Sequence, residues 1–166
     1  MTLTHETTDI MYQRLFSILL FVLMMLPTNA LADAPEGYPF VPFDQAMAQS
    51  QSESKLLFVY FGRYGCGYCE KTNREAFVDP EVRQRYSQNY ALAYVDAESG
   101  RRLRLPSGER IAERDLGTRY DALVTPGFTF LKPDGELVFR MVGVQRIEDL
   151  IDADNKIQAA LAKARQ

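Results

Sequence analysis

Six apolar residues stand in an unbroken row at Leu56-Leu-Phe-Val-Tyr-Phe61. A strand turns alternate side chains to opposite faces, so a row without a polar break suits a strand buried on both sides. Such a strand lies inside a sheet, with helices packed above and below it. A chain of 166 residues, 46% of them hydrophobic, has enough apolar material for one domain of that kind.

The rest of the chain supplies the other parts. The stretch from Ala34 to Gln45 is rich in proline and reads as an extended lead-in, with a short strand at Tyr38 to Val41. Asp44 is placed to cap a helix over Gln45 to Ser52. After Phe61, Gly62 to Gly65 makes a turn, and a helix begins near Cys66 and continues through EKTNREAF. Asp79-Pro80 signals the next helix, with Asp as cap and Pro in the first turn, running to about Asn89. Ala91 to Asp96 alternates and reads as a second strand. Ser99 to Ile111 reads as a hairpin turning at Ser107-Gly108, and Glu113 to Tyr120 as a short helix. Pro126 to Leu131 and Glu136 to Val142 are two strands joined by Lys132-Pro-Asp-Gly135, an antiparallel hairpin. Ile147 to Arg165 closes the chain as a helix, with Ile147, Leu150, Ile151, Ile157 and Leu161 on one face. Strands alternating with helices predict an α/β domain with a mixed sheet.

The N-terminus is a separate matter. Leu15 to Leu26 is apolar, follows Arg14, and is followed by Pro27 and Ala30-Leu-Ala32. A positive residue, an apolar run of about a dozen residues and a small-x-small triplet read as a secretory signal peptide. A membrane span needs ~20 residues, more than this run supplies; an uncleaved anchor is the rival reading. Glu6 and Asp9 fit a signal poorly, which makes Met11 an alternative start. Residues 1–32 are thus expected to be a signal peptide cleaved after Ala32, residues 33–166 the domain, and the periplasm the compartment. Cleavage removes His5, the only histidine, and with it any Ser-His or Cys-His catalysis and any His-ligated zinc or haem. A net charge of −3 gives no nucleic-acid footprint.

Both cysteines of the chain, Cys66 and Cys69, lie in FGRYGCGYCEK, between the apolar run and the helix. A bridge across two residues closes almost no loop, so it is a weak staple. A structural zinc needs four ligands, and the chain after Ala32 offers two thiolates and no imidazole. Redox exchange fits the placement. The first cysteine stands at the helix N-terminus, where unpaired N–H groups and the helix dipole favour a thiolate. That thiolate attacks a substrate disulfide, and the second cysteine, one turn on, attacks back to release the product. Cys66 is the expected nucleophile and Cys69 the resolving thiol. Gly65 and Gly67 flank Cys66 without bulk, leaving room for a partner chain. A second element is Val124-Thr-Pro-Gly-Phe128, where a cis Thr125–Pro126 bond would make a turn that leaves the Thr125 backbone facing outward.

With FVYFGRYGCGYCEK, VTPGFTFLKPDG and the later Gly143 in view, the chain resembles the thioredoxin superfamily over nearly all of residues 33–166. The DPEV and GERIAERDLGTRYDALVTP segments are similar to exported SoxW-type thioredoxins associated with sulfur oxidation, and to the C-terminal thioredoxin domain of the membrane reductase DsbD. The resemblance implies a thioredoxin fold, an exposed nucleophile at Cys66 and a buried partner at Cys69. It implies a cis-proline at Pro126 beside the cysteines, with Thr125 holding substrate backbone as an added strand. Gly65, Gly67 and Tyr68 complete the expected substrate-binding set. No cofactor beyond the Cys66–Cys69 dithiol is implied. The expected partners are protein disulfide substrates and a membrane thiol-electron donor of DsbD type, and the protein is expected to be a monomer. Two positions depart from the family pattern: Gly65 stands where Trp is usual, and Tyr60 where a buried Asp relays a proton. Glu70 is a carboxylate close by, though a solvated helix residue is its plainer reading.

Tyr68 is neutral where strongly oxidising relatives carry His between the cysteines, so a reductant is expected rather than an oxidant. The alternative from another class is a thioredoxin-like module that grips extended peptide near Pro126 without turnover. Arg101, Arg102 and Arg104 read as a solvated basic loop, or as a dock for an acidic partner. Phe58, Tyr60, Phe61 and Phe128 read as core.

Overall fold

The apolar run forms β2, Leu56–Gly62, with every residue buried. The computed structural model describes residues 33–164, so the expectations for residues 1–32 lie outside the described residues. Before β2 come β1, Val41–Pro42, and α1, Phe43–Glu53. After it come α2, Gly67–Glu75, α3, Pro80–Asn89, and β3, Tyr90–Asp96. A small hairpin follows, β4 (Arg102–Arg104) and β5 (Arg110–Ala112), and then α4, Asp115–Arg119. The chain ends with β6 (Gly127–Leu131), β7 (Leu137–Val142) and α5 (Ile147–Ala164).

Five strands make the sheet in the order β1-β3-β2-β6-β7. β1 and β2 run parallel to β3, while β6 runs antiparallel to β2 and to β7. This is the mixed α/β architecture that the alternation of elements predicts. The run divides by its period of two. Leu56, Phe58 and Tyr60 enter one core with residues of α2, α3 and α5. Leu57, Val59 and Phe61 enter a second core with residues of α1 and α4 and of the β4–β5 hairpin. Helices on both faces explain why the row has no polar break. The first core is aromatic: Phe58 stacks on Phe128 at 5.9 Å and meets Tyr86 edge-on at 4.8 Å.

Three details differ from expectation. The lead-in strand shrinks to two residues. Asp44 does not cap α1; the cap is Pro42, and Asp44 lies in the first turn. The apolar Phe43 is drawn fully into the second core and starts the helix earlier than any polar cap would. β3 alternates only in size, since Tyr90, Leu92 and Tyr94 face one core while Ala91, Ala93 and Val95 face the other, and all are buried. By contrast Asp79 caps α3 as expected, its Oδ1 accepting the N–H groups of Glu81 and Val82 at 2.9 and 3.0 Å. Among the described residues no helix is long and apolar enough to cross a membrane.

Candidate active site

β2 delivers the chain to the site. Gly62 ends the strand, and a Cβ there would meet the Tyr94 hydroxyl at 2.5 Å, so a side chain at this position would have to displace the buried Tyr94 ring. Gly65 has φ of +67°, in the region that glycine occupies freely, and open space lies where a side chain would stand. Cys66 follows in extended geometry as the cap residue of α2. Its Sγ accepts the backbone N–H of Cys69 at 3.1 Å, so the sulfur sits on the orphan donors of the helix start. Cys66 and Cys69 form a disulfide, with Cα atoms 5.2 Å apart.

One expectation needs correction. Cys66 is not exposed: it is 4% accessible and Cys69 is 3%. The bond turns the Cys66 sulfur toward Cys69, which lies on the inner face of α2 against the aromatic core. Exposure lies instead on the flanks. Tyr68, between the cysteines, is 69% accessible, and Gly65, Gly67 and Tyr64 are exposed beside it.

The Thr125–Pro126 bond is cis. Register sets Gly127 opposite Phe61, so Pro126 and the Gly62–Gly65 turn leave the sheet at the same end. The Pro126 carbonyl accepts the Gly143 N–H at 2.8 Å, which joins the start of β6 to the residue after β7. Thr125 is half-buried and outside β6, and takes no part in the turn and loop backbone bonds among the described residues. Leu123 and Val124 just before it are exposed apolar residues.

Beneath the disulfide, Tyr60 is fully buried and its hydroxyl is shared between the carbonyl of Cys69 at 3.4 Å and Oδ1 of Asn73 at 3.0 Å. Burial holds the Tyr60 proton on well above the ordinary phenol value, with Tyr94 and Asp33 adding to the effect. Asn73 Nδ2 donates in turn to the carbonyl of Asp33 at 3.2 Å, in the lead-in. Neither Asn73 nor Asp33 stood out in the sequence, because their partners are far along the chain. Glu70 points to solvent and faces Arg74 at 3.7 Å. A cavity of about 530 Å³ opens beside the disulfide, with Cys66, Cys69, Asp33 and Asn73 among its walls. Among the described residues no group of three or more His, Cys, Asp or Glu side chains is arranged to hold a metal ion.

Residues 43–158 match the family model of the thioredoxin-like domain. The chain belongs to the thioredoxin-like domain family. The thioredoxin of Thermus thermophilus is similar to this thioredoxin-like chain, with 24% identity over 72% of this chain and 86% of that one, and a TM-score of 0.59. The C-terminal domain of Neisseria meningitidis DsbD in its oxidised form is 18% identical over 68% of this chain and 90% of its own, with a TM-score of 0.53. A disulphide isomerase from Xylella fastidiosa Temecula1 is 16% identical over 80% of this chain and 97% of its own, also with a TM-score of 0.53. Identities this low establish the shared fold. No curated protein matches the sequence. The thioredoxin-like fold here carries a Cys-x-x-Cys pair closed as a disulfide at a helix N-terminus.

Proposed function

We propose that the protein is an exported thiol-disulfide oxidoreductase that exchanges protein disulfides through Cys66 and Cys69, with Cys66 as nucleophile and Cys69 as resolving thiol. The observation that carries this reading is the Cys66 sulfur on the N–H of Cys69 at the start of α2. On reduction the same N–H stabilises a Cys66 thiolate. Thr125, just ahead of the cis-proline Pro126 at the same end of the sheet, offers an extended substrate its backbone groups. Gly65 and Gly67 leave the approach open, and Tyr68 offers an exposed ring to the partner.

The protein acts as a reductant. Tyr68 brings no positive charge to the thiolate, so the reduced form gains only what the helix terminus supplies, and the pair gives up its electrons readily. Export rests on the signal-like segment within residues 1–32, and the domain then starts at Asp33. A reductant in an oxidising compartment needs a membrane donor of DsbD type to stay reduced. A link to sulfur oxidation rests on the likeness of the GERIAERDLGTRYDALVTP segment to SoxW-type thioredoxins.

The test is Cys69→Ser in cells. A covalent partner attached through Cys66 on non-reducing gels is the expected result, and its identity gives the substrate. One observation favours a second reading, a peptide-binding module without turnover: both sulfurs are covered in the closed disulfide. That reading gains if no partner is trapped and the wild-type protein does not reduce insulin.

A further inference from the structure

The β4–β5 hairpin carries positive charge that the rest of the chain leaves unanswered. Its register sets Leu103 opposite Ile111 and Arg104 opposite Arg110. Leu103 and Ile111 turn inward to the second core, with Leu105 beside them. Arg102, Arg104 and Arg110 are exposed. Side chains alternate along a strand and directly opposite residues share a face, so the three guanidinium groups stand on the outer face of the hairpin. Like charges set opposite one another, as Arg104 and Arg110 are, work against the pairing of their strands.

Among the described residues none of these three arginines has a carboxylate at ion-pair distance. Every other described arginine has one, except Arg83, which lies over the Tyr38 ring at 5.6 Å. The acids of the hairpin itself are taken, Glu109 by Arg119 and the following Glu113 by Arg101. The shortage is not one of acids, since the chain has 22 acidic residues against 19 basic ones. The bare cationic face is also tied to the approach to the cysteines. β3 ends at Asp96, opposite Gly62, and the Ala97 N–H donates to the Gly62 carbonyl at 2.8 Å. Glu98 then faces Arg63 at 3.6 Å, in the turn that leads into Cys66. From there the chain enters the hairpin, whose base is closed by the Arg114 N–H on the Ser99 carbonyl at 3.0 Å and the Glu113 N–H on the Arg101 carbonyl at 2.9 Å.

We infer that the outer face of the β4–β5 hairpin, formed by Arg102, Arg104 and Arg110, is a docking surface for an acidic segment of the protein that exchanges disulfides with Cys66. A guanidinium fork takes a carboxylate through two parallel hydrogen bonds, so three forks on one flat face fit a run of Asp and Glu side chains. An anionic lipid surface fits less well. The apolar residues of the hairpin are buried, which leaves none to enter lipid, and lipid recognition uses clusters of about 4–8 cations. A partner held on this face is concentrated beside the approach to Cys66, which speeds the encounter and leaves the sulfur chemistry unchanged.

The inference rests on the exchange reading, and two arms of one experiment separate them. In the first, the oxidised full-length protein is titrated with a labelled, cysteine-free peptide of about eight glutamates, and with its all-glutamine counterpart. The glutamate peptide is expected to bind and the glutamine peptide not. Binding is expected to weaken at least about tenfold between roughly 0.02 and 0.5 M salt. The triple variant Arg102→Gln, Arg104→Gln, Arg110→Gln is expected to lose at least about tenfold in affinity at low salt. A control with the same change in charge, Arg146→Gln, Lys156→Gln, Lys163→Gln, alters exposed cations around α5 and is expected to bind as the wild type does. In the second arm each peptide is joined to a disulfide by a flexible spacer of about 20 residues, and its reduction by the reduced protein is timed. The wild type is expected to reduce the glutamate form at least about tenfold faster than the glutamine form, and the hairpin variant to reduce both at the glutamine rate. Equal binding of the two peptides, or equal loss in both triple variants, overturns the inference. So does hairpin-dependent sedimentation with phosphatidylglycerol vesicles when the glutamate peptide does not bind. Reduction of neither disulfide overturns the exchange reading, while the first arm judges the hairpin by itself.

Discussion

At the scale of single residues, the site turns on Tyr60, which reaches the Cys69 carbonyl beneath the disulfide. Tyr60 fills its position with a ring packed at 4.7 Å from Phe128 and 5.6 Å from Phe77, and spends its hydroxyl on the Cys69 carbonyl and Asn73. The tyrosine is a brace and not a base. Tyr60→Phe keeps the ring and removes the brace, leaving buried acceptors with fewer donors. We expect the oxidised protein to lose about 1–2 kcal/mol in urea denaturation, with the disulfide still formed. An unchanged midpoint would show that the hydroxyl contributes nothing there.

At the scale of elements, buried carboxylates fasten pieces that the sheet does not join. Asp154 on α5 is 1% exposed and accepts from Arg85 at 3.1 Å, Asn89 at 3.0 Å and Tyr90 at 2.7 Å, which fixes α5 to α3 and β3. Glu113 is 2% exposed and takes two bonds from Arg101, at 2.8 and 3.0 Å, which fixes the β4–β5 hairpin. Arg101 is thus a structural clasp, while Arg102 and Arg104 point to solvent. Arg101→Met leaves Glu113 buried without its cation, and should cost about 2–3 kcal/mol, below the range for fully buried pairs because Arg101 is itself partly solvated. Adding Glu113→Gln should restore part of that loss in thermal unfolding. No recovery in the double variant would contradict the clasp.

At the scale of the molecule, the fold was legible in the sequence to the extent that it depends on local signals. The apolar row named the central strand, Asp79-Pro80 named the start of α3, and Lys132-Pro-Asp-Gly135 named the last hairpin. The cysteine spacing named the pair that closes as a disulfide at the start of α2. What stayed hidden depends on partners distant in sequence: Asn73 reaching back to Asp33, Arg101 reaching Glu113, and the α1 start set by burial of Phe43 and not by a cap. The covered state of Cys66 was hidden too, since spacing cannot say which way a bonded sulfur turns. The two-sided core also has a consequence for pH. Tyr38, Tyr60, Tyr86, Tyr90, Tyr94 and Tyr120 are all held protonated above the ordinary phenol value, chiefly by burial. A raised folded value means that their contribution is complete below about pH 10 and is lost as pH rises beyond it. Tyrosinate absorbance from these rings should therefore appear together with loss of the fold, and ionisation of these rings in a still-folded protein would contradict the packing described.

The proposed exchange chemistry requires a stabilised thiolate at the start of α2. The direct measurement is the pH dependence of alkylation of Cys66 in the Cys69→Ser protein. We predict a midpoint below the free-thiol value of about 8.5 and ready labelling at neutral pH; a midpoint at or above that value, with Cys66 resisting the reagent, would contradict the claim.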